Sequence, residues 1–208
     1  MGKNLEVIYD LDAAKLAMQM QASEKPKFDD IFIMPGAFHI EMVIFKAIGK
    51  IISDSNGPDV LTDSQVLAPV SLNGFLTGKH FNRCKRLHPI LALAFEILHF
   101  KSFLATYERK DELAELISSA QNNDATLESS VFIAGAEAYA RYTDETRSGA
   151  HGDTAKFWMM YIDYIHTYHN FERAIRTNNI DLYIYTLTSI IGVYFATNHV
   201  NYSHWYSS

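Results

Sequence analysis

Leu5-Glu-Val-Ile-Tyr-Asp-Leu-Asp-Ala-Ala-Lys15 and Ile31-Phe-Ile-Met-Pro-Gly-Ala-Phe-His-Ile-Glu-Met42 are the stretches on which the fold reading turns. Leu5 to Tyr9 is a short run rich in strand-forming residues, and Asp10 and Asp12 follow at its end. Ala13 to Gln21 is built of helix formers, with Leu16 and Met20 on one face. A polar break around Pro26 precedes Ile31 to Met34, an apolar run of buried-strand length stopped by Pro35-Gly36. Strand, helix, strand in that order predicts two parallel strands joined by a right-handed crossover. The expected fold class is therefore α-rich α/β, with a small parallel β edge near the N-terminus followed by a large helical region.

Beyond Gly36 the period changes to that of helices. Ile40, Val43, Ile44, Ala47, Ile48 and Ile51 give Phe38 to Ile52 one apolar face, ended by the turn residues Asp54-Ser-Asn-Gly-Pro58. Pro69, Gly74 and Gly78 break Asp59 to Gly78 into short helices. His80 to Tyr107 is a long helical pattern in which Pro89 predicts a division or kink. Asp111 to Ala120 and Leu127 to Tyr142 follow as helices, and Thr143 to Asp153, polar with two glycines, reads as a mobile loop. The strongest helix runs from Thr154 to Thr177, with Asp153 at its start and Arg173 and Arg176 in its closing turns, as the helix dipole prefers. Asp181 opens a last helix to about Phe195. The expected organisation is one domain in three stretches, 1–53, 54–150 and 151–208. The ending Tyr-Ser-His-Trp-Tyr-Ser-Ser suggests a fragment whose parent protein continues on both sides.

The 208 residues are 48% hydrophobic and 20% charged, enough apolar material for a packed core. Cys84 is the single cysteine, which excludes an internal disulfide or a multi-cysteine zinc site. A net charge of −6 argues against broad, nonspecific binding to nucleic acid. No uninterrupted apolar run of membrane-spanning length and no secretory leader pattern stands out, so an intracellular setting, nuclear or cytoplasmic, is expected.

Several residues carry candidate chemistry. Asp10 and Asp12 sit where a strand gives way to a helix, a place where α/β folds hold ligands, and carboxylates there suit Mg²⁺; capping of the next helix is the plainer role. His39 and Glu41 follow the second strand but point to different faces of a helix. Lys79, His80, Asn82, Arg83, Lys85, Arg86 and His88 form the one dense basic cluster, a set suited to DNA phosphates or simply to a solvated helix face. His166, His169 and Glu172 recur every third residue, with Asp163 one step earlier, as a metal set or a polar seam. Arg83 and Lys85 flank Cys84 and are expected to lower its thiol pKa.

Taken together, the two opening stretches, Ser71-Leu-Asn-Gly-Phe-Leu-Thr-Gly-Lys79, Phe157-Trp-Met-Met-Tyr-Ile-Asp163 and Phe195-Ala-Thr-Asn-His-Val-Asn-Tyr202 resemble a domain family of unknown function found in transposon-derived animal proteins. More distantly, the layout is similar to RNase H-like transposases of the hAT kind. That second resemblance implies a truncated RNase H-like core with a helical insertion. It makes Asp10 or Asp12 a metal-binding acid, His39 the following histidine, and Glu172 or Asp163 a third acid. It further implies DNA strand transfer with Mg²⁺ as the ancestral chemistry, incomplete here because no earlier strand carries the first acid. The alternative is a non-catalytic helical module that binds protein or DNA through Lys79, Arg83, Lys85 and Arg86.

Overall fold

The computed structural model describes residues 5–9, 11–120 and 128–196. Its elements in chain order are β1 (Leu5–Tyr9), α1 (Leu11–Ser23), β2 (Ile31–Pro35), α2 (Ala37–Ser53), α3 (Gly57–Asp63), α4 (Pro69–Leu76), α5 (Phe81–Thr106), α6 (Lys110–Ala120), α7 (Ser130–Ser148), α8 (Asp153–Arg176) and α9 (Ile180–Ala196).

This is a helical protein, and the α/β reading is corrected accordingly. Among the described residues paired strand is confined to two five-residue segments, β1 and β2, which run parallel with Leu5 opposite Ile31 and Tyr9 opposite Pro35. A lone two-strand ribbon is marginal by itself and offers no sheet for helices to cover. Among the described residues nine helices supply the rest, so neither a β-edged α/β layer nor a truncated RNase H-like core organises them. The strand-like patterns were read correctly as apolar runs. What they lack is the set of neighbouring strands that turns such runs into a core layer.

The chain divides into two compact units, one from residues 1–85 and 167–208, the other from residues 86–166. In the first, α2 buries Ile40, Ile44, Phe45, Ile48 and Ile52, the inward positions of a 3.6-residue repeat. Phe45 lies 4.6 Å from the Tyr168 ring and 5.8 Å from Phe81. Phe171, Ala174, Leu187, Ile190, Val193 and Tyr194 complete this core. Pro69 starts α4 at a position where its missing N–H costs nothing.

Gly49 is where α2 meets α4. A Cβ there would run into the carbonyl of Leu76, so only glycine permits the approach. Gly49→Ala is expected to cost about 1–3 kcal/mol through backbone displacement. Gly192→Ala in α9, where an added Cβ meets nothing within 4 Å, should instead gain up to about 1 kcal/mol of helix propensity. Urea unfolding of the two variants checks the opposite signs.

In the second unit, Ala92, Phe103, Leu113, Met159, Tyr161, Ile162 and Ile165 are buried. One local expectation is corrected here in part and another outright. Pro89 does not divide α5, which is continuous from Phe81 to Thr106. The residue before it, His88, is fully buried and bonded to Tyr161, so tertiary contacts hold the helix across the missing amide. The expected loop from Thr143 is helical as far as Ser148. Thr146 hydrogen-bonds back to the Tyr142 carbonyl, and Arg147 joins Asp144 to Asp163. Gly149, at φ 95°, ends α7 in the left-handed conformation, with the Gly149 and Ala150 amides donating to the last carbonyls.

Candidate functional site

The structure distributes the residues singled out from sequence. Asp10 and the side chain of Asp12 lie outside the described residues. His39 is exposed in the first turn of α2, whereas Glu41, two residues on, is buried. The helix begins at Ala37, ahead of both, so the two point to different faces. Asp163 is held by Arg147, whose Nη2 and Nε donate at 2.8 and 3.0 Å. His166 Nε2 lies 2.6 Å from Glu96 and His169 Nδ1 3.7 Å from Glu172. Among the described residues no group of three His, Cys, Asp or Glu side chains is placed to hold a metal ion.

Nor does the basic cluster form one surface. Lys79, Arg83 and Arg86 are exposed, but Cys84 and His88 are buried and Lys85 turns inward. The Cys84 thiol, expected to be acidified, is pushed up to about 11 by burial and donates to the Phe75 carbonyl at 3.3 Å. Burial outweighs the neighbouring Arg83 charge, which is a thiol buried in a core and not a nucleophile.

What the first unit does assemble is a charge cluster. Lys85 Nζ lies 2.6 Å from Glu172 Oε1 and 3.5 Å from Glu41 Oε1, and Arg176 reaches Glu172 at 3.3 Å. The buried Tyr168 phenol stands beside both carboxylates; burial, then their negative charge, raises its pKa. Burial also raises the Glu41 pKa, with Lys85 opposing it and Glu172 adding to it. Burial pushes Glu172 up as well, but the Lys85 ammonium and Arg176 hold it net below the usual carboxylate range. Two carboxylates sharing one lysine make a proton-holding pair of unequal affinity. Glu172, expected to share a site with His166 and His169 or with His39 and an N-terminal aspartate, is engaged by Lys85, Arg176 and His169, and Lys85 links it to Glu41. Glu41, Lys85 and Glu172 are far apart in sequence, and no spacing pattern signals their meeting.

The second unit holds a half-open cleft of about 290 Å³ lined by Phe95, Leu98, His99, Ser102, Tyr142, His151, Ala155, Trp158, Met159 and Ile162. Phe95 and Trp158 stack at 3.9 Å, and Tyr142 and His151 at 4.2 Å. Nearby, His88 Nδ1 and the Tyr161 hydroxyl are 2.8 Å apart, and that hydroxyl donates to the His88 carbonyl at 3.3 Å. Burial lowers the His88 pKa to about 3, so the ring is neutral.

The same unit leaves one helix face uncovered. On α5, Ile90, Leu93, Ile97 and Leu98 are 63%, 55%, 48% and 57% exposed. Ile90, Leu93 and Ile97 follow the i, i+3, i+7 spacing of a helix-packing seam, on the side of α5 away from His88, Ala92 and Phe103. Arg86 and Lys101, both exposed, lie on the same side at its two ends. The helix as a whole is long and apolar enough to cross a membrane, though it carries Glu96 and Lys101 within it.

A family described as a domain of unknown function, DUF8702, matches residues 5–207. No curated protein and no solved structure matches the chain.

Proposed function

We propose, from the premise that the chain belongs to the DUF8702 family of domains of unknown function, that it is a non-catalytic helical docking module whose contact surface is the outer face of α5. The observation that carries this reading is the exposed row Ile90, Leu93, Ile97 and Leu98, in a helix whose opposite side is already packed. Complete burial of such a side chain is worth about 1.5–3 kcal/mol, and with roughly half of each still exposed, covering the row gains several kcal/mol in total.

Charge decides which partner fits. Arg86 and Lys101 bracket the row, fifteen residues apart, which is about 22 Å along the axis. A second copy would set cation against cation whether it lay parallel or antiparallel. The fitting occupant is an amphipathic helix of another protein with apolar residues at i, i+3 and i+7 and acidic residues about 22 Å apart at its ends. A membrane core is a poorer match, because Glu96 and Lys101 would each cost about 2.5–3.5 kcal/mol there. DNA is poorer still, since Lys85 is committed to Glu41 and Glu172. The transposon-derived ancestry implied by the quoted segments rests on those segments alone and is independent of this docking role.

The test is fluorescence anisotropy with a labelled amphipathic peptide carrying glutamates at both ends, against the same peptide carrying lysines. The acidic peptide is expected to bind at least tenfold tighter, and Ile97→Ser with Leu93→Ser to abolish binding. Equal binding of both peptides, or binding that survives the two serines, would overturn the proposal. So would concentration-dependent dimerisation lost in the same variant, or uptake onto anionic vesicles in place of peptide binding.

A further inference from the structure

We infer that the cleft between α5, α7 and α8 in the second unit is a binding site for a small, neutral, planar aromatic molecule. Its shape and lining point that way. Phe95 with Trp158, and Tyr142 with His151, give it two stacked aromatic walls. The buried side chains of Met159 and Ile162 line it with apolar surface. Flat faces of this kind favour a flat guest through stacking and edge contacts over a branched aliphatic one. A volume of about 290 Å³ stands at the small end of ligand clefts, which suits a bicyclic ring and not a nucleotide.

The polar groups set the charge of the guest. His99, Ser102, Tyr142, His151 and Trp158 are the hydrogen-bonding side chains in the lining. His99 Nε2 meets Thr143 Oγ1 at 3.1 Å. Burial, then the neighbouring His151 and Arg147, lower the His99 pKa, so its ring is neutral. Around the cleft, Arg147 is engaged with Asp144 and Asp163, and the Glu145 and Glu96 carboxylates lie within 3.4 and 2.6 Å of His151 and His166. No Lys, Arg, Asp or Glu lines the cleft, so an ionic guest meets no counter-charge in its walls, whereas a neutral ring with one donor or acceptor edge meets imidazole, hydroxyl and indole groups. This inference does not rest on the docking role of α5: Phe95, Leu98, His99 and Ser102 of α5 line the cleft, and of the docking row only Leu98 is shared, while Ile90, Leu93 and Ile97 take no part.

Methyl NMR on chain labelled at its seven methionines reads the site directly through Met159. Indole and benzimidazole are the planar neutral probes, benzoate the planar anion and cyclohexanol the non-planar neutral control. The Met159 signal, identified by its loss in Met159→Leu, should shift saturably with the first two. Benzoate and cyclohexanol should bind at least tenfold more weakly. Ala155→Leu fills the cleft from α8, and Ser102→Phe fills it from the exposed rim on α5. Each should weaken indole binding at least tenfold while thermal unfolding is retained, so that failure of one variant to fold leaves the other as the test. An unmoved Met159 signal, equal response to cyclohexanol, or undiminished binding in a folded filled variant would overturn the inference.

Discussion

Lys85→Met is expected to lower unfolding stability by about 3 kcal/mol, among the largest losses for a single substitution outside the apolar core. The change keeps the length and the apolar stem of the side chain and removes one charge. That charge stands between Glu41, 8% exposed, and Glu172. Losing one partner of a buried ion cluster costs about 3–5 kcal/mol, because the remaining charges are left uncompensated. The low end applies, since the Lys85 side chain retains 35% exposure and water screens the cluster. For a chain of this size the loss corresponds to roughly 6–12 °C in Tm. Glu41→Gln should behave oppositely. The Glu41 pKa is raised in the folded state, so folding favours its neutral form. That contribution is complete below the unfolded value and is lost as pH rises through the folded one. At neutral pH the ionised carboxylate is a cost, and glutamine should leave Tm unchanged or higher, with the advantage gone below pH 4.5. Calorimetric scans of both variants at pH 7 and pH 4 test the pair of signs.

The second large effect is a loss of stability on mild acidification. His88 is fully buried and its pKa falls from 6.5 to about 3 on folding. The unfolded chain therefore takes up a proton near pH 6.5 that the folded chain refuses until about pH 3. Stability is complete above pH 6.5 and should fall by about 1.4 kcal/mol for each pH unit below it. His99, also lowered by burial, adds in the same direction. Glu172, whose pKa is lowered, adds its own loss only below 4.5. Urea unfolding at pH 7, 6 and 5 should show the slope, and His88→Gln should remove one proton's share of it. Glu41, whose pKa is raised, works in the opposite direction as pH falls, so the test is the comparison of the two chains: an identical slope in His88→Gln and the parent would refute a neutral, buried His88.

How much of this was legible in the chain differs by level. Helix positions were, because apolar spacing and end signals are local: Ile40, Ile44 and Ile48 mark α2, and Asp153 with Arg173 and Arg176 bracket α8. The fold class was not, because Leu5 to Tyr9 and Ile31 to Met34 look alike whether they enter a sheet or form an isolated ribbon. Continuity of α5 through Pro89 depends on Tyr161, which is 72 residues further along the sequence, and no local rule sees it. The charge cluster was half legible. Glu172 and Lys85 were each singled out, for catalysis and for phosphate binding, and their actual engagement with one another is a tertiary fact. The exposed row on α5 was hidden by its own apolarity, since from sequence it reads as core.

The docking role is tested most directly by amide hydrogen exchange across the chain, with and without a saturating glutamate-ended amphipathic peptide. Slowed exchange is expected between Arg86 and Lys101 of α5. Slowing that appears instead around Lys79 to Arg83 or around Glu41 and Glu172, or no slowing anywhere, would contradict it.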